Sequence, residues 1–140
     1  MSVIRAVQAF VGSCPYIQDF TGYVQVDFTG EQTGDFGVSS SGETVLDEDF
    51  TGTQLREHHF ALYARRLTQT DEQRISNTEF LENFTNWLWE KSRAGELPVL
   101  GDGETPDSMA AAGGGMFQAE GNEAEYQIQF SLTYEKRRTM

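Results

Sequence analysis

Residues 125–138 read EYQIQFSLTYEKRR, in which Tyr126, Ile128, Phe130, Leu132 and Tyr134 alternate with Gln127, Gln129, Ser131 and Thr133. Apolar residues at period two predict a β-strand with one buried face. A strand has to be paired along its backbone, and its apolar face has to be covered. The chain must therefore supply a sheet on either side of this segment and an apolar layer above Tyr126 to Tyr134.

The cover is legible in residues 77–94. Phe80, Leu81, Phe84, Trp87 and Leu88 fall on one helical stripe, Lys91 and Arg93 sit near the negative end of the helix dipole, and Gly95 supplies a stop. The run Ser76-Asn-Thr-Glu79 offers a capping box at the start. Trp89 is off the stripe, which places its indole under a loop or in an interface. This stripe is expected to pack on Tyr126 to Tyr134, leaving Gln127, Gln129 and Thr133 on the opposite face.

QLREHHFALYARRL, residues 54–67, reads as another strand, with Leu55, Phe60, Leu62 and Ala64 on one face and Ala61 and Tyr63 on the other. Apolar character on both faces marks a central strand, or one covered on its second face by another subunit. Residues 2–12 carry Val3, Ile4, Val7, Phe10 and Val11 at helical spacing, and Val24, Val26 and Phe28 alternate with Gln25 and Asp27 in a short strand. Residues 29–53 are rich in Gly, Ser, Thr and acid; they are expected to be mobile, with short strands near 36–39 and 44–47 joined by a Ser-Gly turn. Residues 101–122 read as a flexible lead-in to the last strand. Their Gly113-Gly114-Gly115 forms the bend of a hairpin or, alternatively, a bulge or close backbone approach. The expected fold is a single α+β domain over residues 1–140, with a central, mostly antiparallel β-sheet, one main packed helix and a short N-terminal helix.

A net charge of −12 opposes binding to nucleic-acid phosphates and to anionic membranes. Lys136, Arg137 and Arg138 at the end of the chain are too few to reverse that sign. Cys14 is the only cysteine, so no intramolecular disulfide or thiolate metal cluster exists, and it reads as a small buried residue at a helix exit. The N-terminus lacks the features of a signal peptide and no apolar run reaches membrane-spanning length, so a soluble protein made in a cytoplasm is expected.

Chemistry-bearing patterns are sparse. His58 and His59 are neighbours on a strand and point to opposite faces, so they cannot easily share a metal. The glycine runs at 101–103 and 113–115 lack a phosphate-loop pattern, and LDEDFTG lacks the loop Gly and terminal Glu of an EF-hand. No nucleophile with a base and an orienter is visible in the sequence, and no cofactor is called for.

The order of these features has a precedent. A short N-terminal helix leads to CPY and a strand near Val24, then an acidic turn-rich segment, HFALYARR, a polar DEQRISN entering FLENFTNWLWEK, GELPVLGDG, and a terminal AEYQIQFSLTYEK. Over nearly the whole chain this resembles the small tail-terminator or tail-completion proteins of long-tailed bacteriophages, also labelled minor capsid proteins. The segment AAAGGGMF departs from the pattern in being unusually small. The resemblance implies a non-enzymatic virion protein, assembled in the bacterial host cytoplasm as a homo-hexameric ring that caps the tail tube and meets the head connector. DNA passes through such a ring without specific binding, as a lumen of like charge allows.

Within that reading, Tyr63, Trp89, Lys136, Arg137 and Arg138 are candidates for the subunit interface, and Glu31, Asp35, Glu43, Asp47, Glu48 and Asp49 for the lumen or ring edge. Another phage ring component, such as a head-completion or tail-tube protein, fits the same features. A small enzyme with a carboxylate or His site and a monomeric binding domain are the alternatives of other classes.

Overall fold

The structure, a computed structural model, describes residues 2–18, 24–26 and 36–138. The elements run α1 (Val3–Gly12), α2 (Pro15–Gln18), β1 (Val24–Val26), β2 (Phe36–Glu48), β3 (Gln54–Leu67), α3 (Asp71–Arg93), β4 (Glu104–Glu120) and β5 (Glu123–Lys136). The fold is α+β. One five-stranded sheet has the order β1-β2-β3-β5-β4; β1 pairs parallel to β2 and all other pairs are antiparallel.

The central pair is the regular part of the sheet. β3 and β5 run from Gln54↔Lys136 to Leu67↔Glu123 without a register shift. Even-numbered residues of both strands face α3, as period-two geometry requires. Phe60 stacks on Phe130 at 5.4 Å, and Phe84 of α3 meets Phe130 at 6.0 Å. Tyr126, Ile128, Phe130, Leu132 and Tyr134 are all buried, so the alternation that opened the sequence is the floor of the core. Leu55 stands five positions from Phe60 and falls on the other face, with Ala61 and Tyr63, correcting its assignment to the Phe60 side.

The main helix begins earlier than residue 77. Thr70 caps it, its hydroxyl accepting from the Gln73 N–H while the Gln73 side chain accepts from the Thr70 N–H. Asp71 and Glu72 in the first turn suit the positive end of the dipole. Ser76 is thus an exposed residue inside the helix and not its cap. The stripe is as expected, with Phe80, Leu81, Phe84, Trp87 and Leu88 buried, and it is extended at its N-terminal end by Asn77.

α1 is capped by Ser2, whose Oγ accepts from the Arg5 N–H, and buries Ala6, Val7 and Val11. Its Phe10 ring lies 5.1 Å from Trp87, joining the small helix to the large one. Cys14 is buried after the helix exit, and Pro15 opens α2, where its missing N–H costs nothing.

Two segments differ from their sequence reading. Residues 36–48 form one strand of 13 residues, and no turn separates 36–39 from 44–47; a bulge between Ser40 and Gly42 takes the place of the Ser-Gly turn, with Gly42 at φ +122°. Residues 104–120 form an edge strand of 17 residues, and its hairpin bends at Gly121 and Asn122. The triple glycine is the bulge and close approach that the sequence allowed as its second option. The register shifts between Ala111 and Gly113, and a Cβ on Gly114 would come within 3.0 Å of Ile128 Cγ1.

Candidate functional site

Beyond the Phe60–Phe130 stack the helix-facing side of the sheet becomes polar. A cleft of about 580 Å³ opens there, with Ser40 and Glu43 of β2, Arg56 and His58 of β3, and Tyr134 of β5 in its lining; Val3, Ile4 and the 101–104 loop contribute as well. The side chains are locked together. Glu43 accepts from the Tyr134 hydroxyl at 2.9 Å, from Arg56 at 3.0 Å and from His58 Nδ1 at 2.7 Å. His58 Nε2 lies 2.6 Å from Ser40 Oγ, and the imidazole stacks on Phe60 at 4.5 Å.

The register explains the assembly. Glu43 is the direct cross-strand partner of His58, and Arg56 of Tyr134. Ser40 and Glu43 are three residues apart and in a regular strand would point to opposite faces. The extra residue of the bulge, Ser41, restores the parity, so both reach the same imidazole.

The electrostatics follow from these contacts. Burial alone would push the Glu43 carboxyl up, but the hydrogen bonds from Tyr134, His58 and Arg56 outweigh it and hold the group below the usual glutamate range. Burial, reinforced by the Glu43 carboxylate, pushes the Tyr134 phenol up to about 12. Arg56 is raised, its contacts with Tyr134 and Glu43 overcoming the burial that would lower it. Glu43 is therefore ionised and accepts only. His58 must hold its proton on Nδ1, and in the neutral imidazole Nε2 is the acceptor for the Ser40 hydroxyl.

The sequence showed no nucleophile with a base and an orienter, yet this cluster brings a hydroxyl, an imidazole and a carboxylate into one line. Residues of β2 and β3 combine only through the hairpin register and its bulge, which composition and spacing did not display. His59 points away from His58, and its Nε2 lies 3.3 Å from Glu57. Among the described residues no group of three or more His, Cys, Asp or Glu is arranged to hold a metal, and no helix is long and apolar enough to cross a membrane.

The residues singled out for a ring are dispersed. Trp89 is 54% exposed on the outer side of α3, with the Arg93 guanidinium 4.3 Å above its ring. Tyr63 is partly buried on the far face of β3. The Arg137 N–H donates to the Gly103 carbonyl at 2.8 Å, and the Arg138 side chain lies against Gly52 in the β2–β3 turn. Lys136, Arg137 and Arg138 thus border the same hollow as Glu48 and Asp49 of their own chain. Asp47 and Glu48 are exposed; the Asp49 carboxylate is held below its usual range by hydrogen bonds led by the Thr51 hydroxyl. Glu43 is engaged in the cleft, and Glu31 and Asp35 lie outside the described residues.

No protein-family model matches the sequence, and no curated protein is detectably similar to it. Among solved structures, a chain in the virion of a native gene transfer agent (GTA) particle has a similar fold. The TM-score is 0.57, over 96% of this chain and 99% of that one, at 10% sequence identity. At that identity the likeness is one of fold.

Proposed function

We propose that the protein is a structural subunit of a phage-like virion, forming a ring that terminates the tail tube and meets the head connector. The observation that carries this reading is the fold likeness to a gene transfer agent virion chain, which spans nearly the full length of both proteins. The net charge of −12 supports it, since an acidic ring repels phosphates and lets DNA slide past without sticking. A closed ring of six copies needs heterologous interfaces, and like-charged subunits need apolar contact to offset their repulsion. Trp89 and Tyr63 supply such contact, as do Val45, Leu46 and Phe50 on the β2–β3 hairpin, of which Phe50 is fully exposed. Lys136, Arg137 and Arg138 add charge pairing with an acidic neighbour, and Asp47 and Glu48 face the lumen or the ring edge. The tail-tube protein and the head-connector protein are the partners above and below.

Native mass spectrometry and negative-stain microscopy of the purified protein test this reading. Single rings of six subunits are expected. Long stacks would reassign the chain to the tube, and a monomer at micromolar concentration would sink the ring altogether. Trp89→Ala is expected to shift rings toward monomers while leaving the fold intact, because the indole is on the outside of α3; rings that survive unchanged would remove Trp89 from the interface. Truncation after Glu135 should weaken assembly and its salt sensitivity.

A further inference from the structure

We propose that Ser40, His58 and Glu43 form a serine acyl-transfer centre that hydrolyses small acyl esters bound in the β2–β3 cleft. The connectivity is that of a nucleophile, a general base and an orienting carboxylate: Ser40 Oγ to His58 Nε2 at 2.6 Å, and His58 Nδ1 to Glu43 at 2.7 Å. Three further features fit the role. Ser40 is exposed to solvent, as an attacking hydroxyl must be, while the His58 side chain keeps only 15% of its exposure and is held flat on Phe60. The bulge that turns Ser40 and Glu43 to one face is a local cost to the sheet, and bulges are concentrated next to active sites. The cleft has the volume of a small-molecule site, with Val3 and Ile4 as apolar wall.

In the reaction, Ser40 Oγ attacks the acyl carbon of the ester and its proton passes to His58 Nε2, while the Nδ1 proton stays on the hydrogen bond to Glu43. The tetrahedral oxyanion collapses with cleavage of the acyl–oxygen bond. His58 returns its proton to the departing alkoxide, which leaves as alcohol, and Ser40 holds the acyl group. Water then gives a proton to His58 and attacks the acyl carbon, and the carboxylic acid leaves as Ser40 takes the proton back. The balance is ester plus water to acid plus alcohol. Ser40 and His58 are the catalytic residues. Glu43 is a positioning residue that fixes the imidazole tautomer, and Tyr134 and Arg56 hold Glu43 in turn.

The full-length protein is treated with an alkyl fluorophosphonate and analysed by peptide mass spectrometry, with hydrolysis of p-nitrophenyl acetate followed in parallel. One adduct per chain on Ser40 is expected, absent in Ser40→Ala, together with ester turnover lost in the same variant. Because Ser40 is exposed, that variant keeps the native fold and the native oligomeric state, so this test and the ring test fail separately. His58→Gln should slow adduct formation by about 10²-fold or more. Glu43→Gln should lower the maximal rate of adduct formation while leaving the half-saturating probe concentration unchanged, a split that a merely structural role would not produce. A natively folded protein that leaves Ser40 unmodified under excess probe overturns the proposal, and so does an adduct that forms as fast in His58→Gln as in the parent.

Discussion

The helix-facing side of the sheet carries two clusters built from similar parts, and their difference lies in what covers them. At one end Arg66 donates from Nε to Asn77 Oδ1 at 2.9 Å, and Asn77 donates to the Leu67 carbonyl at 2.8 Å and lies 3.3 Å from the Tyr126 hydroxyl. At the other end Arg56 and Tyr134 converge on Glu43. Each cluster takes an arginine from β3 and a tyrosine from β5. α3 closes over the first with Asn77 and Phe80, whose ring lies 5.2 Å from the Arg66 guanidinium. It does not reach the second, which is left open as a cleft. Under the helix the Arg66 guanidinium meets the neutral Asn77 amide and the Phe80 ring, and burial lowers its pKa. In the open cluster the Arg56 guanidinium meets the Glu43 carboxylate, which also accepts from His58 and Tyr134.

The closed cluster should be the harder to perturb without loss. Asn77→Ala removes an acceptor from a guanidinium that is 8% exposed and the donor to the Leu67 carbonyl. A loss of about 3 kcal/mol in unfolding free energy is expected, measured by urea denaturation. A loss below about 1 kcal/mol would show that Arg66 stays satisfied without Asn77 and that the closed end is no harder to perturb than the open one.

This contrast also marks what the sequence discloses. The terminal strand, the span 54–67 and the Phe80–Leu88 stripe were legible because each rests on a period that one element displays by itself. The start of α3 was misread: Thr70-Asp-Glu-Gln73 is a capping signature as good as Ser76-Asn-Thr-Glu79, and local sequence does not rank one above the other. Residues 36–48 and 104–120 were harder. They are flanking strands with bulges, where glycine and serine composition resembles a loop, and pairing with β3 and β5 overrides that local preference. The cleft was not legible, because Ser40, Glu43, His58 and Tyr134 meet only through cross-strand register.

Acid should act on the open end first. The folded state holds the Glu43 carboxyl below its unfolded value. It therefore adds stability that is fully present above the ordinary glutamate range and is lost as the pH falls through the lower folded value. At the alkaline side Tyr134 is raised to about 12, so its contribution is complete below the ordinary tyrosine value and is lost as the pH rises toward 12. Glu43→Gln is expected to flatten the acid limb of a stability-versus-pH curve, and Tyr134→Phe to remove the last phenolate step in an absorbance titration. An acid limb that keeps its slope in Glu43→Gln would assign acid sensitivity to other carboxylates, Asp49 among them.

The smallest effect is expected at Arg56, and it sharpens the comparison most directly because Arg66 is its counterpart. Arg56 reaches Glu43 at 3.0 Å, but both side chains remain about a quarter exposed, at 26% and 24%. Water can solvate either charge when the other is removed, and Arg56 keeps its contact with the partly buried Gln54. Arg56→Gln should cost about 0.5 kcal/mol, as exposed pairs do. Arg66→Gln removes the donor to Asn77 Oδ1 beneath a helix and gives up the contact with Phe80, so its cost should be several-fold larger. Equal costs in parallel denaturation curves would mean that the cleft is as closed as the helix-covered end, and Ser40 would then lack the access that acyl transfer requires.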